Sequence, residues 1–137
     1  MRRIIVALVL ALTTAAFSAL PALAGNPHFV TLSATRSGNT LIVTGKEAGL
    51  GDEQQVNIVF NASASCINPG DNHPKAANKE SLSATGTFPV HNGKAEFTLT
   101  LTATFQPECA PPMTVEFSGV SAGDLTNSLS VSFAGTF

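Results

Sequence analysis

The sequence predicts an all-β fold, an antiparallel two-sheet sandwich of about seven strands. Three observations point to it. From residue 25 onward apolar and polar residues alternate with period two, and no segment keeps a helical period. Clusters of Gly, Pro, Asn and Ser interrupt the alternation where turns are needed. Finally, if each strand reverses the one before it, the connections that carry Cys66 and Cys109 meet at the same pole.

The first 24 residues read as a secretory signal peptide. Arg2 and Arg3 precede a 14-residue apolar run, IIVALVLALTTAAF, and Ala22-Leu23-Ala24 offers a small-x-small cleavage site. The run is short of the ~20 residues that cross a bilayer, so the expectation is a secreted, extracellular chain without a transmembrane anchor. Residues 25–137 then form one domain.

The strands follow in order. FVTLSAT (29–35) and NTLIVTG (39–45) flank Ser37-Gly38-Asn39, a reversal of the chain. QVNIVFNASASC (55–66) alternates through Val56, Ile58, Phe60, Ala62 and Ala64, with Cys66 on the same inward parity. LSATGTFPV (82–90) contains Pro89, which cannot donate to a ladder and so belongs on an edge strand. AEFTLTLTATF (95–105) is the most regular, with Ala95, Phe97, Leu99, Leu101, Ala103 and Phe105 inward and Glu96, Thr98, Thr100, Thr102 and Thr104 outward. Asn92-Gly93 before it is the signature of a two-residue hairpin turn at positive φ, which places Val90 opposite Ala95 and Phe88 opposite Phe97. MTVEFSGV (113–120) and SLSVSFAGTF (128–137) complete the set. Seven short strands without crossover helices suggest an immunoglobulin-like architecture, although the tryptophan and inter-sheet disulfide of antibody domains are absent.

In an oxidising compartment a lone pair of cysteines is expected to form one disulfide. Closing the loop between Cys66 and Cys109 stabilises the fold by about 4 kcal/mol.

Past the leader the chain carries five basic and nine acidic side chains, an acidic balance with no footprint for nucleic acid. Only Glu96 and Glu116 are assigned to strands. Arg36, Asp71, Lys75, Lys79, Glu80 and Glu108 are assigned to the cysteine-bearing pole, and Lys46, Glu47, Asp52, Glu53, Lys94 and Asp124 to loops at the other. Loops on a rigid scaffold are where binding residues concentrate, so Asp71, His73, Lys75, Glu80 and Glu108 are the candidate binding residues. Asp71, His73 and Glu80 match no metal-ligand spacing, and the acidic pole lacks a dense calcium loop, so no metal or other cofactor is expected. His28 stands behind Pro27, which has no N–H to yield to an amino-terminal copper chelate. No nucleophile elbow, H-E-x-x-H, C-x-x-C or phosphate-cradling loop is present, and no catalytic residue is assigned.

The nine phenylalanines lie mostly at inward parity, and without Trp or Tyr the chain has no usual sugar-stacking platform. The outward Thr98, Thr100, Thr102 and Thr104 form a neutral face suited to an ordered surface or to self-association.

The segments GNPHF, SGNTLIVTGKEAGL, CINPG and PECAPP, in this order, resemble small secreted actinobacterial-type β-sandwich proteins of uncharacterised function. The resemblance implies export and a sandwich, and assigns no site residues. The expected function is a non-catalytic binding or interaction module for a protein or cell-envelope partner. A small hydrolase or metal-dependent enzyme using residues 66–80, and a secreted inhibitor or effector, are the alternatives.

Overall fold

A computed structural model describes residues 25–70 and 78–137. Its strands are β1 (His28–Ser37), β2 (Thr40–Ala48), β3 (Gln55–Ile67), β4 (Lys79–Pro89), β5 (Lys94–Thr102), β6 (Thr114–Asp124) and β7 (Leu129–Ser132). They form two antiparallel sheets, a three-stranded sheet in the order β1-β2-β5 and a four-stranded one in the order β4-β3-β6-β7. No described helix is long and apolar enough to cross a membrane.

The turns follow from residues that tolerate positive φ. Asn92 (φ 52°) and Gly93 (φ 70°) make the two-residue turn that the Asn-Gly pair predicts. Gly38 (φ 60°) opens the β1–β2 hairpin, whose register, with Ser37 opposite Thr40, the sequence left undecided. Pro89 ends β4, which is indeed an edge strand.

One sequence expectation is corrected. Val90 and Phe88 do not continue a ladder with Ala95 and Phe97, because β4 and β5 belong to opposite sheets. The hairpin survives only at His91, which exchanges backbone bonds with Lys94 (2.8 and 3.1 Å). Val90 N–H then turns away to the Gln54 carbonyl (3.0 Å). Phe88 and Phe97 still meet, with ring centroids 5.8 Å apart, across the sandwich instead of along a sheet. The reason is packing: both inward sets reach the same core whether the strands pair or face one another.

Two bulges reset side-chain parity. One lies between Phe29 and Thr31 on β1, an edge strand of the three-stranded sheet, where a bulge discourages edge-to-edge pairing. The other is on β6 around Gly119 (φ 59°), opposite the register shift between Asn61 and Ser63. Phe117 and Val120, three apart, are both fully buried as a result. Ala122 and Asp124 consequently also face inward.

The core between the sheets holds Leu41 and Val43 from β2, Val56, Ile58 and Phe60 from β3, Phe97 and Leu101 from β5, and Val115, Phe117 and Val120 from β6. After β7 the chain stays beside β6: Phe133 N–H bonds the Val120 carbonyl (2.8 Å), and Phe117 and Phe137 exchange backbone bonds of 2.9 Å.

Candidate functional site

At one pole the Cys66–Cys109 disulfide joins the end of β3 to the β5–β6 connection, as the cysteine count and topology predict. Met113 Sδ lies 3.7 Å from Cys66 Sγ. The bonded sulfur has no proton to donate, so this is a packing contact.

Beside the disulfide a cleft of about 360 Å³ opens between the sheets. Phe105, Cys109, Met113 and Val115 supply its apolar lining, and Arg36, Asn39 and Glu108 its polar groups. Two of the side chains that border it are held in place. Arg36 Nη1 reaches from β1 to donate to the Val115 carbonyl on β6 (3.0 Å). Asn39 Nδ2 donates to the Ala103 carbonyl, and Ala103 N–H returns a bond to the Asn39 carbonyl (both 2.9 Å). The Glu108 segment is a tight turn, with Ala110 N–H on the Glu108 carbonyl and Met113 N–H on the Ala110 carbonyl (both 3.0 Å).

Of the five predicted binding residues, Glu108 borders this cleft and is exposed. Glu80 plays a structural part instead: its Oε2 accepts the Thr104 N–H at 2.8 Å, tying β4 to the chain leaving β5. Asp71, His73 and Lys75 lie outside the described residues. Sequence reasoning placed Arg36 at this pole without singling it out, and it passed over Asn39, whose only signal was its place in the Ser37-Gly38-Asn39 turn.

The opposite pole differs most from expectation. Lys46 and Glu47 belong to β2 and Asp124 to β6, and Glu47 and Asp124 are not solvated loop charges: they are 0% and 1% exposed. Glu47 continues the inward series Leu41, Val43, Gly45, while the β6 bulge turns Asp124 toward it. Asp124 is well supplied with donors, taking the Thr126 N–H on Oδ1 (2.8 Å) and Asn127 Nδ2 on Oδ2 (2.6 Å). The same Asn127 amide donates to Glu53 Oε2 (3.1 Å). No donor reaches either carboxylate oxygen of Glu47. Burial, the neighbouring Asp124 charge, a hydrogen bond to Asp124 and the charge of Glu53 together push the Glu47 carboxyl up to about 8. Among the described residues no three His, Cys, Asp or Glu side chains are arranged to hold a metal ion.

Between the poles the outer face of the three-stranded sheet is a grid of short hydroxyls around one exposed isoleucine, Ile42. Strand register lines up Ser33–Thr44–Thr98, Thr35–Ile42–Thr100 and Ser37–Thr40–Thr102. Ser33 and Thr44 are hydrogen-bonded at 2.8 Å. The Lys46–Glu96 ion pair (3.0 Å) closes one end.

Compared with protein-family models, curated proteins and solved structures, the chain has no match.

Proposed function

We propose that this chain is an exported, non-catalytic binding module, an immunoglobulin-like sandwich that engages a protein or cell-envelope partner through the cleft at its disulfide pole. The cleft carries the reading. It has the volume of a ligand site, and it sets a guanidinium, an amide and a carboxylate around an apolar floor. Its walls come from both sheets and are cross-tied, so little ordering cost opposes binding. The strand order supports the immunoglobulin-like assignment. Relative to the constant-type arrangement, only the fourth strand has moved to the opposite sheet. The disulfide fits an oxidising compartment and thus the leader reading of residues 1–24.

The test is a nuclear magnetic resonance screen of short peptides and cell-wall saccharides against the protein comprising residues 25–137. Hits are expected to shift the Arg36 side chain, the Asn39 amide and the Glu108 backbone, and to lose at least tenfold in affinity in Arg36→Ala. Shifts confined to other surfaces, or affinities unchanged in a folded Arg36→Ala, would overturn the reading.

The hydroxyl grid favours a second mode, adhesion to an extended neutral polymer. Its rows repeat about every 4.8 Å across strands and about every 6.8 Å along them, with no charge until Lys46 and Glu96. Co-sedimentation with insoluble cell-wall polymer is expected for the native chain and is expected to be abolished by Thr44→Lys with Thr100→Lys. Absence of native co-sedimentation excludes this mode.

A further inference from the structure

The geometry points to a proton-held latch: Glu47 of the three-stranded sheet and Asp124 of the four-stranded sheet share one proton across the sandwich, and its loss loosens the pole they close. The two side chains come from opposite sheets at the end of the core, neither reaches water, and both oxygens of Glu47 are without a donor.

Among the described residues no cation balances the pair. Lys46, beside Glu47 on β2, points to the outer face and pairs with Glu96. On β5, Ala95 stands opposite Glu47, and Lys94 is exposed. On β1, His28 is exposed, with Nδ1 against the Asn26 carbonyl at 2.7 Å. The β2–β3 connection brings only Asp52 and Glu53, which add negative charge. On β3, Ile58 stands opposite Asp124, and the Asn57 backbone bonds the turn after β6 through Thr126 Oγ1 and Leu125 N–H. The Thr126 N–H and the Asn127 amide of that turn go to Asp124 and Glu53.

The asymmetry assigns the roles. Asp124 already takes two donors and Glu47 takes none, so the shared proton is placed on Glu47. Two buried carboxylates in contact would repel in a medium of low dielectric. When the proton leaves, the parts free to move are those that close the pole. They are Leu50, whose N–H holds the Gly93 carbonyl at 3.0 Å, and the Leu125–Asn127 turn.

The direction with pH follows by linkage. Between the ordinary Glu value, about 4.5, and about 8, native Glu47 holds a proton that the unfolded chain has lost. Stability therefore falls as pH rises through this window, is full below it and levels off above it.

Three measurements decide the matter. The Glu47 side-chain carboxyl carbon, followed by nuclear magnetic resonance in the native chain, is expected to titrate near pH 8; a midpoint below about 5 overturns the latch. The melting temperature is expected to fall between pH 6 and pH 9 in the native chain. It should fall much less in Glu47→Gln, whose amide donates to Asp124 at every pH; equal slopes overturn the proposal. Hydrogen-exchange protection of the Leu50 and Leu125 amides should drop at least tenfold above pH 8 in the native chain while Ala103 at the far pole holds. A uniform loss would also overturn it.

Discussion

Reduction of the Cys66–Cys109 bond lowers the stability of this domain by about 4 kcal/mol and its melting temperature by roughly 15 °C. The sequence separation of 43 residues sets the magnitude, because the bond removes the closure entropy of a loop holding more than a third of the domain. The site of the bond sets the consequence. It joins β3, in the centre of the four-stranded sheet, to a connection that begins on the other sheet. Without it, the ties described between the sheets at this pole are the Glu80 bond to Thr104 N–H and the Arg36 bond to the Val115 carbonyl. Urea unfolding of the native chain with and without reductant, beside Cys66→Ala with Cys109→Ala, measures the effect. The double variant must match the reduced protein, since both free the same loop. A loss below about 1 kcal/mol would mean the loop is already closed by other contacts. The same variant tests the cleft, one wall of which is Cys109.

The strands, the pole of the disulfide and the Asn92-Gly93 turn were legible because each depends on local rules: period two, a turn residue, a parity count. The assignment of β4 and β5 to different sheets was not, because inward parity looks the same for paired and facing strands, and only the chain beyond His91 decides between them. The candidate site was legible in pieces. Glu108 and Arg36 could be placed at the correct pole by topology, but the meeting of Arg36, Asn39 and Glu108 depends on how two loops and a hairpin pack. Glu47 carried a readable signal, since it extends the inward alternation of Leu41, Val43 and Gly45. Asp124 carried the opposite one: counted from Phe117 by twos it points outward. Gly119 alone, an isolated glycine within a strand pattern, hints that a bulge reverses that count. A charged residue at inward parity reads as a strand end until its partner from the other sheet is known.

Truncating Phe97 to Ala costs about 3–5 kcal/mol, a large part of the 5–15 kcal/mol that a domain of this size holds. Phe97 is the one ring in contact with three others among the described aromatic pairs: Phe29 at 6.0 Å edge-on, Phe60 at 6.0 Å and Phe88 at 5.8 Å. Those partners come from β1, β3 and β4, so the ring links both sheets. Its room is made by Gly45, its direct neighbour in register on β2. A Cβ at Gly45 would stand 2.5 Å from Phe97 Cζ and 2.7 Å from Leu32 Cδ2, against one ring and one side chain already packed. Glycine in a strand is ordinarily a weakness. Here it is the complement of an oversized neighbour, and Gly45→Ala is expected to destabilise by about 1–3 kcal/mol through overpacking. The two effects are coupled. In a Phe97→Leu background the methyl group at position 45 has the space that the ring vacated, so the double variant should be more stable than the sum of the single changes by about 1 kcal/mol. A double-mutant cycle by urea unfolding measures this directly. Strict additivity would show that the strand adjusts its backbone and that Gly45 is not fitted to the ring.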